Sequence, residues 1–186
     1  MRALTSGFSV RPATEADLDA VERLLGDCIA AMRQAGIDQW DEVYPGRHTV
    51  LSDIHAGTVF LAFRDEPTLL GSLVLNETQS PEWAPVQWEY TSARVVVVHR
   101  LMVDPRQQGT GIARELMRFA ETWAREHGYE AVRLDAFVAN PRALSLYRGL
   151  GYRDAGGAWL RKGPFRCFEK RLEPRTGRPA DARGTT

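Results

Sequence analysis

The fold is decided by one stretch of the chain, Val95-Val-Val-Val-His-Arg-Leu-Met-Val-Asp-Pro-Arg-Gln-Gln-Gly-Thr-Gly-Ile-Ala113. Residues 95–103 are mostly apolar and β-branched, which predicts a buried strand. Asp104-Pro105 ends that strand, because proline has no N–H to donate and restricts the residue before it. From Ile112 onward the apolar residues recur with a helical period. The stretch therefore predicts a strand, a tight polar turn and an amphipathic helix in succession.

The turn between that strand and that helix, residues 104–113, is called the phosphate turn below. Gly109 and Gly111 have no side chain, so a ligand can approach the backbone where the helix begins. The unpaired N–H groups of the first helical turn and the positive end of the helix dipole favour a negative charge there. Arg106 adds a positive charge. These features predict a site for a phosphate or a similar anion.

Three phosphate-binding motifs can be compared with this turn. A P-loop has a lysine after its second glycine, and this stretch has none. A dinucleotide-binding motif has a third glycine where this chain has Arg114. Arg106-Gln-Gln-Gly109-Thr-Gly111 fits the pattern Arg/Gln-x-x-Gly-x-Gly/Ala. In this it resembles the pyrophosphate-binding motif of the GCN5-related N-acetyltransferase (GNAT) superfamily.

A second motif supports the same resemblance. Asn140 begins a short helical pattern that leads to Leu-Tyr147-Arg-Gly-Leu-Gly151-Tyr152, and it follows the apolar stretch 132–138. This order is similar to the second conserved block of the superfamily. The resemblance covers roughly residues 8–172 and is specific over 95–152. Three shorter runs resemble a bacterial branch whose acceptor substrates are mostly unassigned: His99-Arg-Leu, Arg133-Leu-Asp135 and Phe168-Glu-Lys170.

Helical and strand patterns along the chain give an element order. They predict a strand at 8–11, a helix after Thr14, a short helix at 49–57, strands at 58–63, 69–75 and 95–103, a helix at 112–127, a strand at 132–138, a helix at 140–147 and an antiparallel pair within 152–172. This is the order of the GNAT fold. The fold class is therefore α/β (α+β), with a mixed, mostly antiparallel central sheet and helices on both faces.

Composition limits what the protein can be. Its 186 residues predict one domain, 1–172, followed by a disordered tail, 173–186. The 24 basic and 24 acidic side chains balance, which argues against a nucleic-acid-binding protein. Cys28 and Cys167 are too few and too far apart for a metal site or a disulfide framework. No segment has the pattern of a signal peptide or a membrane span, so we expect a cytoplasmic protein that binds no membrane.

The resemblance implies an N-acetyltransferase that transfers an acetyl group from acetyl-CoA to a primary amine by direct attack in a ternary complex. We expect a small-molecule amine, because the long, tryptophan-rich connection 77–92 can cover the site. A protein α-amine or lysine acceptor, and a catalytically silent acyl-CoA-binding relative, remain open alternatives. The oligomeric state is also open, a homodimer included.

The resemblance also implies the residues that bind the cofactor. The pantetheine arm lies along the central strand in this superfamily, and a backbone N–H of Leu101 or Met102 would polarise the thioester oxygen. The implied cofactor-binding residues are Leu101, Met102, Val103, Arg106, Gln107, Gln108, Gly109, Thr110, Gly111, Ile112, Ala113, Asn140 and Tyr147.

Two residues are the candidates for catalysis. By resemblance, Tyr147 gives a proton to the departing thiolate, and a phenol near pKa 10 suits a thiol near 8.5. His99 is the candidate base for the amine; it lies in an apolar strand, and strict alternation places it on the same face as Leu101 and Val103. Asp135 and Glu89 are alternative bases or anchors for an ammonium group, although such residues more often lie on the surface or in ion pairs.

Aromatic residues in the irregular segments are the candidates for the acceptor pocket. Trp40, Tyr44 and Trp88 are the predicted substrate-binding residues, with Trp83 as a further member of the group. Aromatic side chains of this kind favour an acceptor of apolar or cationic character.

Overall fold

The computed structural model describes residues 2–3, 9–64 and 66–173 of the chain. In that part of the chain eight strands form one sheet: β1 (Arg2–Ala3), β2 (Ser9–Pro12), β3 (Val59–Phe63), β4 (Leu69–Asn76), β5 (Val95–Val103), β6 (Ala131–Phe137), β7 (Arg153–Leu160) and β8 (Gly163–Arg171). Their order is β1-β2-β3-β4-β5-β6-β8-β7. Every neighbouring pair is antiparallel except β5 and β6. The mixed, mostly antiparallel sheet predicted from the sequence is confirmed.

Four α-helices cover the two faces of this sheet. They are α1 (Leu18–Gln34), α2 (Arg47–His55), α3 (Ile112–Glu126) and α4 (Pro141–Gly149). The cluster with α1 and α2 includes Val21, Val50 and Leu61, and we call that side of the sheet the α1 face. The cluster with α3 and α4 includes Leu116 and Tyr147, and we call that side the α3 face. Helices on both faces are thus confirmed as well.

The strand β1 was not predicted, and the bounds of the other elements differ from the predicted ones by a few residues. A 3₁₀ turn, Glu15–Asp17, precedes α1, and the Asp17 carboxylate accepts from both the N–H and the hydroxyl of Thr14 at 2.8 and 3.0 Å. The helix predicted from Thr49 begins earlier, at Arg47. Phe8 of the first predicted strand, Asp65 between the strands predicted at 58–63 and 69–75, and the tail 174–186 lie outside the described residues. The prediction of one domain over 1–172 stays a prediction.

A bulge in β5 corrects one prediction about His99. Arg100 has a left-handed backbone (φ +46°), and the register places His99 opposite Val74 but Met102 opposite Ser72. Two residues of β5 therefore oppose one residue of β4, which breaks the alternation of side chains. Val74 belongs to the cluster on the α1 face, whereas Leu101 and Val103 pack on the α3 face. His99 thus lies on the opposite face from Leu101 and Val103, and the expectation that the three share a face was wrong.

The sheet separates between β5 and β6. The two strands pair only from 95 to 97, opposite 131 to 133. Beyond Val97, β5 continues beside β4 and β6 continues beside β8, so each strand has an unpaired edge toward the other. This separation opens a cleft in the middle of the sheet.

Candidate active site

The cleft between β5 and β6 has a volume of about 1850 Å³. Its walls come from the second half of β5, the phosphate turn with the start of α3, the end of β6 with α4, and the segment 37–46 between α1 and α2. Residues of α1 and α2, of the segment 76–83 and of the turn between β7 and β8 complete the lining. We call the segment 37–46 the strap. The cleft is therefore built by elements from both halves of the sheet.

The phosphate turn has open space where a ligand would bind. Gly109 (φ +84°) and Gly111 (φ +93°) have left-handed backbones, and a Cβ atom at either would meet nothing within 4 Å. Gly111 is the N-cap of α3, and the first N–H groups of a helix have no partner within it. Asp104 stabilises the turn by accepting from the backbone N–H of Arg106 at 2.9 Å. The residues present fit a bound pyrophosphate, since Gly109 and Gly111 leave open space where α3 begins.

Most of the predicted cofactor-binding residues line the cleft. They are Leu101, Met102, Val103, Gln107, Gln108, Gly109, Gly111, Ile112, Ala113, Asn140 and Tyr147. The exceptions are Arg106 and Thr110. The Arg106 guanidinium is bound to the Asp104 carboxylate, and the Thr110 hydroxyl donates to the carbonyl of Gln107 at 2.7 Å.

Two arginines that line the cleft near the phosphate turn were missed by the sequence analysis. Arg114 lies in the first turn of α3 and Arg142 in the first turn of α4. Arg142 donates to the Gln108 side chain at 2.7 Å, and neither arginine has a carboxylate partner among the described residues. Their positions in the sequence could have identified them, because both lie at the N-termini of helices that the phosphate turn and the second motif had already located. Both line the cleft, whereas Arg106, which was expected to bring positive charge there, does not.

The unpaired edge of β5 presents backbone groups to the cleft. The N–H of Asp104 donates to Leu70 of β4 at 2.9 Å, whereas the carbonyl of Val103 accepts from the Cys28 thiol at 3.4 Å. Backbone groups of successive residues in a strand alternate in direction. The N–H of Leu101 therefore points away from β4, and that of Met102 points toward it. Of the two residues considered for the thioester oxygen, Leu101 has the better orientation.

Tyr147 lies at the wall of the cleft on α4. Its ring packs against Tyr152 and Phe168, with centroids 6.0 and 5.7 Å away. Burial, and to a smaller extent the charge of Asp135, raise the pKa of the Tyr147 phenol well above 10. Among the described residues its hydroxyl makes no hydrogen bond, and the residue lines the cleft. The phenol is thus protonated and free to donate to a group in the cleft.

His99 also lines the cleft but is held from the side of β4. Its Nε2 lies 3.0 Å from the Asn76 side-chain oxygen and 3.1 Å from the carbonyl of Thr78. Both partners are acceptors, so Nε2 carries a proton. Burial, together with the neighbouring charge of Arg100, lowers the pKa of His99 to about 4.

Asp135 has a different environment from the one expected. It lines the cleft from β6, and burial raises the pKa of its carboxyl to about 6. Its partner is the indole N–H of Trp83, at 3.2 Å, and no cation pairs with it among the described residues. A surface or ion-pair role was expected for Asp135 from the sequence, and that expectation was wrong. Glu89 does form an ion pair, with Arg153 at 2.9 Å.

The predicted substrate residues divide into two groups. Trp40 and Tyr44 line the cleft from the strap, and Trp83 lines it as well. Trp88 does not; it packs against Trp83 at 5.3 Å and beneath the guanidinium of Arg133 at 4.2 Å. The assignment of Trp88 to the acceptor pocket is therefore corrected: its position is structural.

Within the described residues, no helix combines the length and apolar character needed to cross a membrane. In the same part of the chain no three His, Cys, Asp or Glu side chains are grouped so that they could hold a metal ion.

Comparison with known proteins places this cleft in a family. A family model described as "Acetyltransferase (GNAT) family" matches residues 23–152. The chain is 27% identical over 176 residues to the N-acetyltransferase YesJ of Bacillus subtilis, covering 91% of this chain and 93% of that protein.

Solved structures agree on the fold. An acetyltransferase of the GNAT family from Streptococcus agalactiae superimposes with a TM-score of 0.80 at 20% identity, over 92% of this chain and 99% of its own. The acetyltransferase yncA from Salmonella typhimurium, solved with its cofactor acetyl-CoA, superimposes with a TM-score of 0.66 at 16% identity, over 92% and 98%. The sheet, the separated central strands and the phosphate turn, together with these matches, lead to one conclusion: the chain belongs to the GNAT acetyltransferase family, whose acyl donor is acetyl-CoA.

Proposed function

We propose that this protein is an N-acetyltransferase that transfers the acetyl group of acetyl-CoA directly to the primary amine of a small molecule in a ternary complex. The observation that carries the small-molecule part of the proposal is the strap across the cleft. The strap joins α1 to α2 on one side, and Arg100 of β5 donates to its Tyr44 hydroxyl at 2.7 Å. On the other side it binds residues that belong to the half of the sheet formed by β6, β7 and β8.

Ion pairs hold the strap on that second side. Asp41 accepts from both terminal nitrogens of Arg161 at 2.8 and 2.9 Å, and Lys162 lies 2.8 Å from the same carboxylate. Asn140 donates to the Gln39 side chain at 3.2 Å. The strap therefore crosses the cleft from β5 to the turn between β7 and β8. A cleft covered in this way suits a small amine better than an extended peptide, which needs an open groove.

The environment of Asp135 favours it over His99 as the base. An alkyl ammonium has a pKa near 10.4, so a base with a higher pKa accepts its proton more easily. The pKa of Asp135 is about 6 and that of His99 about 4. The difference of about two units corresponds to roughly 3 kcal/mol in favour of proton transfer to Asp135. We therefore assign the role of base to Asp135. His99 instead stabilises the bulge of β5 through its contacts with Asn76 and Thr78.

The remaining steps follow from the positions of the other residues. When bound, acetyl-CoA supplies an electrophilic thioester. The phosphate turn holds the anionic end of that cofactor, with Arg114 and Arg142 beside it. The N–H of Leu101 polarises the carbonyl oxygen, and one such donor is worth about 10²–10³ in rate. Tyr147 donates its proton to the sulfur of the leaving group.

The proposal is tested by measuring release of free CoA from acetyl-CoA with two panels of acceptors, small primary amines and short peptides with free α-amines and lysines. We expect turnover with small amines and none with peptides. Turnover on peptides alone would show a protein acetyltransferase. Micromolar binding of acetyl-CoA without turnover or slow hydrolysis would show a silent relative.

Calorimetry with a matched pair of variants tests the cofactor site independently of the acceptor. Gly111→Glu fills and charges the phosphate turn and should abolish binding of acetyl-CoA. Gly57→Glu is the control, because Gly57 has a similar left-handed backbone (φ +68°) with nothing within 4 Å but lies outside the cleft. Equal loss of binding in both variants would mean that strain, and not the phosphate turn, is responsible.

A further inference from the structure

Within the connection between β4 and β5, the segment 77–92 supplies contacts to both candidate bases. We call it the tryptophan loop. Its regular structure is one 3₁₀ turn, Pro81–Trp83, yet Trp83 is only 4% exposed. The carbonyl of Thr78 lies 3.1 Å from His99, and the indole of Trp83 donates to the Asp135 carboxylate at 3.2 Å. A segment with so little secondary structure needs other interactions to hold it in one position.

A buried ion pair provides those interactions. Arg133 of β6 and Glu169 of β8 lie opposite each other and are 7% and 0% exposed, and the Arg133 Nε donates to Glu169 at 2.9 Å. The remaining nitrogens of Arg133 donate to the Gln79 side chain at 2.8 Å and to the carbonyl of Tyr90 at 3.1 Å. The second oxygen of Glu169 accepts from the N–H of Glu89 at 2.9 Å. The pair thus binds both ends of the tryptophan loop.

The aromatic side chains connect this pair to Trp83. Trp88 stacks beneath the Arg133 guanidinium at 4.2 Å, and its ring lies 5.3 Å from that of Trp83. Trp83 in turn packs in a cluster with Val97 and Cys167. A continuous path of contacts therefore runs from the ion pair to the carboxylate of Asp135.

We propose that Trp83 is a positioning residue for Asp135, and that the buried Arg133–Glu169 pair holds Trp83 there through the tryptophan loop. This inference rests on the proposed role of Asp135 as the base. Trp83 acts on the carboxylate in two opposite ways. Its N–H bond stabilises the ionised form, whereas its ring keeps water away and disfavours that form. Removing the N–H alone and releasing the whole loop should therefore have opposite effects.

The other titratable groups near Asp135 should not change these two expected shifts of its pKa, because they are neutral or paired near pH 6. The titratable groups that interact with it are the Tyr147 phenol of α4 and the Cys167 thiol of β8. Burial raises the pKa of both, to about 12 for Cys167, so both are neutral near pH 6. Across the cleft, His99 of β5 has a pKa of about 4 and is neutral there too. Arg133, on the same strand, is engaged by Glu169.

The experiment compares the pH dependence of kcat/KM with a direct titration of the Asp135 carboxyl by ¹³C NMR, its signal identified with Asp135→Asn. Trp83→Phe keeps the aromatic cover but removes the N–H, and should move the acidic limb up by about one pH unit. The double variant Arg133→Met with Glu169→Met replaces the pair by apolar side chains, which is often tolerated in folding, and releases the loop. It should move the limb down by about one unit, because water reaches the carboxylate.

Two further variants make the test decisive. Arg133→Lys keeps a positive charge for Glu169 but loses the planar guanidinium group that reaches Gln79 and Tyr90. The acidic limb of its kcat/KM profile should therefore lie between those of the wild type and the double variant. Glu77→Gln is the control: Glu77 lies in the same loop and pairs with Arg94 at 3.0 Å on the exposed side, so its profile should match the wild type.

A shift in the same direction in both Trp83→Phe and the double variant, or in neither, would overturn the proposal. A double variant that does not fold leaves the decision to Trp83→Phe and Arg133→Lys. If Asp135→Asn keeps the wild-type profile, the role of Asp135 as base fails. The NMR titrations then still show whether Trp83 and the ion pair control its carboxyl.

Discussion

Asp135 and Glu169 are two carboxylates on one face of the same pair of strands, and they differ in their partners. Glu169 is fully buried between Arg133 and Arg153 and accepts from the N–H of Glu89. Asp135, two residues beyond Arg133, lies opposite Cys167 and has the Trp83 indole as its partner. The charge of Glu169 is compensated by two cations, whereas Asp135 has a single neutral donor, the Trp83 indole.

The presence or absence of a cationic partner distinguishes a structural from a functional carboxylate here. A buried charge without a cation is costly, and the protein responds by raising the pKa of Asp135 to about 6. Such a cost is typical of functional sites, where a base with a pKa near the working pH is useful. Glu169 is paired with two cations, and its contacts hold the tryptophan loop. Four substitutions and one pH profile test this division, in order of decreasing expected effect.

Replacing Asp135 should harm catalysis and help stability. Asp135→Asn removes the base, so kcat should fall by about 10²–10⁴. The pKa of the carboxyl is raised in the folded state, so its ionised form destabilises the protein fully above pH 6 and not below about pH 4. The free energy of unfolding in urea should therefore rise by about 1–3 kcal/mol at pH 7 and change little at pH 3.5. A variant that is less stable at pH 7 would show that Asp135 is structural.

Replacing Glu169 should do the reverse. Glu169→Gln leaves Arg133 buried without its counter-charge, so the free energy of unfolding should fall by about 3–5 kcal/mol. Urea unfolding followed by tryptophan fluorescence measures this. If the free energy of unfolding falls by less than about 1 kcal/mol, the ion pair of Glu169 stabilises the protein no more than a surface ion pair does.

The pH profile distinguishes the two candidate bases. If Asp135 is the base, kcat/KM should fall tenfold per unit below an apparent pKa of about 6, because the carboxyl becomes protonated. With His99 as the base, the fall would begin only near pH 4. Measurement of kcat/KM between pH 4.5 and 8 at constant ionic strength decides between them.

Tyr147 should affect chemistry without affecting cofactor binding. Tyr147→Phe keeps the ring contacts with Tyr152 and Phe168 but removes the proton, so kcat should fall by about tenfold or more. The dissociation constant of acetyl-CoA, measured by calorimetry, should stay within about twofold of the wild-type value. An unchanged kcat would remove Tyr147 from the mechanism.

The smallest effect is expected at the second cation of Glu169. Arg153 is 41% exposed and shares its charge with Glu89 on the surface. Arg153→Gln should therefore lower the free energy of unfolding by about 1 kcal/mol or less, and water can replace its contact. A loss as large as that of Glu169→Gln would mean that Arg153, and not Arg133, is the main partner.

Much of the fold and part of the site could be predicted because they depend on residues that are neighbours in the chain. Gly109 and Gly111 predicted the phosphate turn through their backbone freedom, and Asn140 predicted the start of α4 by capping it, as its side chain does for Ala143 at 3.2 Å. The sequence did not predict that Arg114 and Arg142, and not Arg106, line the cleft. Which arginine faces a ligand depends on whether Asp104 has already bound it.

Residue spacings and glycine positions act through local backbone geometry, so the sequence alone predicted the order of the elements from β2 onward, the phosphate turn and the family. The face on which His99 lies, the position of Trp88 outside the cleft and the environment of Asp135 depend on tertiary packing. Trp83 is 52 residues from Asp135 in the chain, and Glu89 is 80 residues from Glu169. A pKa depends on which groups surround the carboxyl and exclude water from it. Those groups come together only when distant segments pack, so no local pattern in the sequence carries that information.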